Sequence, residues 1–238
     1  IDTLHFDEAW VPHAAFHDFY KNMHAIGENR PRAKDTIIFS TQSIHKLLAG
    51  ISQASQILVQ DSKTKRFDHN VFNEAYLMHS STSPQYSIIA SLDVAAAMME
   101  PPGGKALVEE SIVEALDFRR AMRKVDKELG DGNWWFKVWG PNIEPDSEGM
   151  THKEQWLLSP KDDWHGFGSV HNNFNMLDPI KATIVTPGLN LSGEFNKEGI
   201  PASVVTRYLS EHGVIVEKTG LYSFFIMSTI GITKGRWN

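Results

Sequence analysis

The sequence has no cysteine, which excludes both a disulfide framework and a thiolate metal site. It also has no excess of positive charge. The formal net charge is −6 and the isoelectric point is about 6.0, which argues against nucleic acid and anionic membrane surfaces as partners. The most continuous apolar stretch, at 221–232, contains several hydroxyl side chains and is shorter than the roughly 20 residues that a membrane span needs. We therefore expect a cytoplasmic protein that does not cross a membrane.

The composition is that of a globular protein, because 41% of the 238 residues are hydrophobic and 22% are charged. The first residue is Ile1 rather than methionine, and residues 1–6 already have the composition of a strand. At the other end, residues 235–238 do not close any predicted element. We expect the chain to be an internal segment of a longer polypeptide.

The first hundred residues carry the patterns of an α/β domain. The predicted elements follow one another as strand 1–6, helix 13–25, strand 36–40, strand 56–60, helix 72–78 and helix 88–99. The order strand, helix, strand at the start favours a βαβ unit.

A cluster of proline and glycine at 101–104 interrupts this pattern. After it, apolar residues at helical spacing predict one long amphipathic helix over 105–129. The composition then changes to a tryptophan-rich run and polar loops, which favours a second domain. The elements predicted there are strand 134–139, strand 182–186, helix 201–213, strand 214–217 and strand 222–230. The expected organisation is a first domain at 1–100, a linker and connecting helix at 101–130, and a smaller α+β domain at 131–238.

Lys46 follows a predicted buried strand, an unusual place for a lysine because burying an ammonium group is costly. An imine with the aldehyde of a cofactor would remove the charge, and Ser43 and His45 could donate hydrogen bonds to a phosphate. Asp7, at the end of the first strand, could pair with a protonated pyridine nitrogen. From spacing alone, a surface lysine at the end of a loop and an aspartate that caps a helix remain open.

Several motifs, in order along nearly the whole chain, carry a resemblance to a known family. They are DTLHFDEAWVP at 2–12, TQSIHKLLAGISQAS at 41–55, HSSTSP at 79–84, WHGF at 164–167, LDPIK at 177–181, GIPA at 199–202 and GVIVEKTG at 213–220. The chain resembles the bacterial lysine/arginine/ornithine decarboxylases of the aspartate-aminotransferase fold, which use pyridoxal 5'-phosphate. The resemblance implies part of an α/β large domain with a mainly parallel sheet, followed by a smaller α+β domain.

The resemblance also implies roles for individual residues. Lys46 would be the Schiff-base lysine, Asp7 the partner of the pyridine nitrogen, and Ala9 would pack its methyl group beneath the ring. Ser43 and His45 would contact the phosphate. Ser81 would reach the phosphate of a neighbouring subunit, which implies a homodimer and higher homo-oligomers built from it. Trp10 would border the substrate channel, with ordinary packing as the alternative, and the family's remaining phosphate-binding and ring-stacking contacts would lie upstream of this chain.

The implied reaction is decarboxylation of a basic amino acid, with lysine to cadaverine favoured. Lys46 or His45 would return a proton to Cα, and Glu217 could meet the distal ammonium of the substrate or be structural. Arginine to agmatine is the second choice and ornithine the third. A non-catalytic assembly or regulatory relative is the alternative from another class, but it would be expected to lack Lys46 or Asp7.

Two pairs of histidines lie close enough in the sequence to be considered as metal ligands. His13 and His17 lie four residues apart on the predicted helix but lack the accompanying glutamate of a zinc protease, so surface or capping roles are favoured. His165 and His171 lie in a polar loop without clustered acids. We expect no metal site.

Overall fold

The structure is a computed structural model that describes residues 1–27, 30–129, 135–190 and 193–232. The chain forms two compact units. Unit 1 consists of residues 1–109 with 229–231, and unit 2 contains residues 110–228. The domain limits predicted from the sequence stay a prediction.

Unit 1 contains a three-stranded sheet in the order β1-β2-β3. The strands are β1 (Thr3–Asp7), β2 (Ile37–Ser43) and β3 (Ser55–Gln60). β1 and β2 are parallel neighbours, whereas β2 and β3 are antiparallel. The α/β class is as expected, but within this chain the sheet is mixed rather than mainly parallel, because the short connection from β2 to β3 reverses the direction of the chain.

Three helices of unit 1 follow β2 and β3. They are α1 (Ile44–Leu47), α2 (His69–His79) and α3 (Tyr86–Met99). The side chain of Asp68 caps α2 by accepting from the backbone N–H groups of its first turn. A small core of Ile44, Ala54 and Ala95 packs with apolar side chains of α3 and of the two residues that follow α1, Leu48 and Ala49. This core fixes α1, the helix that carries Lys46.

The predicted helix at 13–25 is wrong. Two short 3-10 turns, Ala14–Phe16 and Asp18–Tyr20, lie there instead. His17 separates them with an extended backbone, and its Nδ1 accepts from the N–H of Phe19 at 3.1 Å. An extended residue cannot continue a helix, so the capping bond starts a new turn.

The long helix predicted after the proline-glycine cluster is confirmed as α4 (Gly103–Leu129). Val108, Ile112 and Leu116 are all buried and recur every four residues, which is the spacing of one face of a helix. Near its start, Lys105 pairs with Asp18 at 3.0 Å within unit 1.

Unit 2 contains an antiparallel sheet in the order β4-β5-β7-β6. Its elements are β4 (Lys137–Val138), β5 (Lys181–Val185), α5 (Ala202–Glu211), β6 (Lys218–Thr219) and β7 (Ser223–Met227). The core combines buried side chains of the sheet and α5, namely Val138, Ala182, Ile184, Ala202 and Phe224.

Two strand predictions in unit 2 need correction. Residues 214–217 are not a strand, because Gly213 takes φ +82° and the N–H of Val214 donates to Leu209, which closes the end of α5. The strand predicted over 134–139 is reduced to β4, and its first residue, Trp134, lies outside the described residues.

Arg119 on α4 is a buried cation at the centre of unit 2. Its guanidinium donates to the backbone carbonyls of Pro179, Trp139 and Lys181 at 3.1, 2.9 and 2.8 Å. The guanidinium carbon also lies 5.1 Å from the centre of the Trp156 ring. Burial lowers the pKa of Arg119 to about 9, so the group is still charged at neutral pH.

The helices in the described part of the chain include none that is both long and apolar enough to cross a membrane.

Candidate active site

The ends of β1 and β2 form the edge of the sheet on which the predicted site residues lie. The two strands are parallel, with Asp7 opposite Thr41, and the N–H of Glu8 donates to the carbonyl of Thr41 at 2.9 Å. β2 then leads through Ser43 into α1, which presents Lys46 in its only turn. Because parallel strands end at the same edge of a sheet, the fold brings the segments of Asp7 and Lys46 to one place.

Lys46 contacts Trp10. Its Nζ atom lies 4.9 Å from the centre of the indole ring, within the range of a cation–π interaction. The side chain is half-buried, and no carboxylate of the described residues forms an ion pair with it. Lys46 is thus oriented by an aromatic face rather than neutralised by an acid, which suits an amine that must lose its charge to attack a carbonyl.

Asp7 caps a turn rather than an α-helix. Its Oδ1 accepts from the backbone N–H of Ala9 at 3.0 Å, and the turn closes where the N–H of Val11 donates to Glu8 at 2.9 Å. Among the described residues, Oδ2 has no hydrogen-bond partner. The turn therefore holds the carboxylate in place through one oxygen and leaves the other for a ligand.

Ser43 directly precedes α1, and His45 lies on it. Nδ1 of His45 lies 3.0 Å from the carbonyl oxygen of Ala54, which can only accept, so Nδ1 carries a proton. His45 can donate to a phosphate from Nε2 only when the ring is doubly protonated. Ser43 occupies the position before α1, and its side chain makes no capping bond there.

Two further predicted residues lie elsewhere. Ser81 is exposed in the turn after α2, where its hydroxyl accepts from the N–H of Ser83 at 3.1 Å. Glu217 lies in unit 2 with an exposed side chain, and its backbone N–H donates to Phe225 at 2.9 Å. The predicted roles of Ser81 at a phosphate and of Glu217 at the substrate stay predictions.

Glu8 is the residue that reasoning from the sequence missed. It is buried beside Asp7, and its carboxylate accepts from the N–H of Ala25 at 2.6 Å, the hydroxyl of Ser40 at 2.5 Å and the amide of Gln42 at 3.0 Å. The signal lay in β2, where Ser40 and Gln42 alternate with other residues and so share one face of the strand. Two polar side chains on one face of a buried strand indicate a buried polar partner.

Within the described ranges, no group of three or more His, Asp or Glu side chains is arranged to hold a metal ion. His13 is buried rather than at the surface, with its ring against the edge of Tyr20 at 4.8 Å. His165 is also buried, and its two nitrogens lie 2.9 Å from the carbonyl of Ser159 and 3.1 Å from the N–H of Phe167. These contacts make His165 a structural residue.

The donor set fits pyridoxal phosphate. The cofactor needs an amine to bond its aldehyde, an acid for its ring nitrogen and donors for its phosphate. Lys46 supplies an amine without an acidic partner, Asp7 supplies an available carboxylate oxygen, and Ser43 supplies a hydroxyl that caps no helix.

Comparison with known proteins gives one consistent result. The family described as Orn/Lys/Arg decarboxylase, major domain, matches residues 1–236. The chain is 51% identical to the lysine decarboxylase LdcA of Pseudomonas aeruginosa and 38% identical to the biodegradative arginine decarboxylase of Escherichia coli. These matches cover 100% and 99% of the chain but only 31% and 33% of the relatives.

A solved structure agrees. The crystal structure of the Francisella novicida lysine decarboxylase LdcF superposes with a TM-score of 0.85 and 44% sequence identity. The match covers 98% of this chain and 30% of that one. The chain therefore spans about a third of the length of these relatives.

Proposed function

Because this chain belongs to the Orn/Lys/Arg decarboxylase family, as part of its major domain, we propose that the protein carrying it is a pyridoxal-phosphate-dependent decarboxylase that converts L-lysine to cadaverine and carbon dioxide. The observation that carries this proposal is the contact between Lys46 and Trp10 at the strand edge where Asp7 ends β1. An acid at the end of one strand and a lysine on the helix that follows the adjacent parallel strand would supply the two contacts that the cofactor requires at its ring nitrogen and its aldehyde.

The cofactor, when bound, supplies an electron sink for the electron pair left behind as carbon dioxide departs. Lys46 is the amine that would bond the aldehyde, and its place over Trp10 restricts where Nζ can lie. Asp7 would keep a proton on the ring nitrogen by accepting a hydrogen bond from the N–H at Oδ2, which strengthens the electron sink. Ala9, fixed by its N–H bond to Asp7, would present its methyl group beneath the ring.

Ser43 and His45 would bind the phosphate from the start of α1. The N–H at Nδ1 of His45 already donates to the carbonyl of Ala54, so only Nε2 is left for the phosphate. Nε2 can donate only when the ring is a cation. The proton that replaces the carboxylate at Cα would come from Lys46 or from protonated His45. Both residues lie on α1, so one short helix would hold the proton donor and the cofactor together.

Lysine is proposed as the substrate because the relative at 51% identity is a lysine decarboxylase, while the arginine decarboxylase is 38% identical. Arginine, giving agmatine, is the second candidate, and ornithine follows.

Glu217 is proposed to bind the distal ammonium of the substrate, because the 213–220 segment resembles the family. The cytoplasmic location also stays a prediction.

We also propose that the protein is a homodimer, with higher homo-oligomers built from it, and that Ser81 contributes to the phosphate site of the neighbouring subunit. Support comes from the apolar side chains that α2 and α3 expose around the turn containing Ser81. Met78 is 74% exposed and Tyr86 is 78% exposed. Exposed apolar side chains clustered on adjoining helices are typical of an interaction surface.

The test uses the full-length protein with pyridoxal phosphate and supplies lysine, arginine and ornithine separately. The released amine is identified by mass spectrometry and the carbon dioxide is measured. We expect cadaverine from lysine at the highest kcat/KM. Release of agmatine or putrescine at a higher kcat/KM would change the assigned substrate, and no carbon dioxide from any of the three would overturn the proposed reaction.

A further inference from the structure

Glu8 is buried, although it stands at the end of a strand whose own side chains are not. All five residues of β1 are exposed, whereas Glu8 is 6% exposed. Its neighbours in space, Ser40 and Gln42, are also buried. Glu8 therefore provides a buried side-chain attachment at the end of β1, in addition to the backbone pairing of β1 with β2.

The attachment is entirely polar. Oε1 of Glu8 accepts from the N–H of Ala25, and Oε2 accepts from the Ser40 hydroxyl and the Gln42 amide. Three donors meet one carboxylate, and an ionised carboxylate is the side chain that can accept from all of them. A buried carboxylate without hydrogen-bond partners would be strongly destabilising, so each of the three donors helps to keep Glu8 in its buried position.

The network continues across the sheet. The other end of the Gln42 amide accepts from the side-chain amide of Gln56 at 2.8 Å, so the chain of bonds runs from the end of β1 through β2 to β3. Gln42 also precedes Ser43 directly and lies four residues before Lys46. One set of side-chain hydrogen bonds thus connects Glu8, the residue that follows Asp7, with the strand that leads into α1.

We infer that Glu8 is a positioning residue for the cofactor. Its carboxylate holds the end of β1 against β2 and so sets the spacing between Asp7 and Lys46, while Glu8 itself touches neither cofactor nor substrate. The inference rests on the proposed function, since it concerns the two groups that would bind opposite ends of the pyridoxal ring. β1 has no buried side chain of its own, and its side-chain hydrogen bond to β2, between His5 Nε2 and Thr41 Oγ1 at 2.7 Å, is exposed, so Glu8 is the buried side chain at this end of the strand.

The test compares Glu8→Gln with Glu110→Gln in the full-length enzyme. In Glu8→Gln the new amide has nearly the shape of the carboxylate, but whichever way it turned, its NH2 group would face either the N–H of Ala25 or the amide of Gln42. Glu110 is exposed on α4 and undergoes the same change of charge. Measurements are the dissociation constant for pyridoxal phosphate, the visible absorption of the bound cofactor, kcat, KM and the melting temperature of the cofactor-free protein.

For Glu8→Gln we expect cofactor affinity and kcat each to fall about tenfold, with KM for the amino acid changed less than about twofold. The visible absorption should also shift, because the acid at the ring nitrogen has moved. Glu110→Gln should match the wild type in every measurement. Should Glu8→Gln lower only the melting temperature and leave affinity, absorption and kcat intact, Glu8 is merely structural and the inference is wrong.

Ser40→Ala is the second variant, which keeps the inference testable if Glu8→Gln does not fold. It removes one of the three donors and leaves the carboxylate in place, so we expect the same pattern with a smaller loss, about threefold in affinity. Unchanged affinity, absorption and kcat in folded Ser40→Ala would equally overturn the inference. A wild type that neither binds pyridoxal phosphate nor releases carbon dioxide would instead count against the proposed function, which keeps the two failures distinct.

Discussion

The ammonium nitrogen of Lys46 lies 4.9 Å from the centre of the Trp10 ring, and Trp10 is only three residues beyond Asp7. One turn of the chain therefore carries both the acid and the aromatic face against which the lysine rests. The arrangement orients Nζ through an aromatic face rather than through a carboxylate counter-ion.

Lys46→Ala and Lys46→Arg should both abolish turnover. Arginine keeps a cation that can lie over Trp10, but its guanidinium does not bond an aldehyde, so it separates the chemistry of the amine from its charge. Turnover is measured as carbon dioxide released from lysine. In the wild type, reduction with borohydride should leave the cofactor covalently attached to the peptide containing Lys46. Substantial activity in Lys46→Arg would show that only the charge is needed.

Asp7→Asn should bind the cofactor weakly and lower kcat at least about a hundredfold, the order lost when one electrostatic contact to developing charge is removed. The amide can still accept from Ala9, so the turn is preserved while the negative charge is lost. Asp146→Asn, at an exposed position in unit 2, is the matched control and should be unaffected. Normal kcat in Asp7→Asn would exclude the proposed pairing with the ring nitrogen.

Local patterns predicted which segments meet at the sheet edge, while the roles of their residues stay predictions. Lys46 follows β2, whose first three residues are apolar, and Asp7 ends β1, so strand order favours one sheet edge for both residues. The long helix α4 was predicted for a similar reason, since its apolar residues repeat at helical spacing over 27 residues.

What the sequence did not reveal depends on tertiary contacts. The segment 13–25 has helical spacing, but the extended backbone of His17 and the burial of His13 divide it into two short turns. The burial of Glu8 could not be read from its neighbours in sequence, because its donors at Ala25, Ser40 and Gln42 are 17 to 34 residues away. The strand predicted at 214–217 failed because Gly213 ends α5 and displaces the start of β6 to Lys218.

Arg119→Met should destabilise unit 2 by about 3–5 kcal/mol, because it leaves three carbonyl oxygens, one buried and two partly buried, without their shared donor. Arg207→Met removes one exposed ion pair with Glu211 and should cost no more than about 0.5 kcal/mol. Urea unfolding followed by tryptophan fluorescence measures both variants. Equal stability of the two would contradict the structural role of Arg119.

Glu217→Gln should raise KM for lysine about tenfold with a smaller change in kcat, if its carboxylate meets the distal ammonium. The amide keeps the shape of the side chain and removes its charge. Glu148→Gln, also exposed in unit 2, is the control. The comparison is made with steady-state kinetics at fixed cofactor concentration. A KM equal to that of the wild type would make Glu217 structural and leave the distal group to another residue.

The proposed sharing of the phosphate site between subunits can be tested by complementation. Ser81→Asp places a negative charge where a phosphate would bind, and we expect it to be inactive, as is Lys46→Ala. In a mixed dimer, one of the two sites would combine an intact Lys46 from one subunit with an intact Ser81 from the other. Refolding the two inactive variants together at equal amounts should therefore restore about a quarter of the wild-type activity, since about half of the dimers are mixed and each has one intact site. If Ser81 served the site of its own subunit, mixing would restore nothing, because every site would keep one of the two defects.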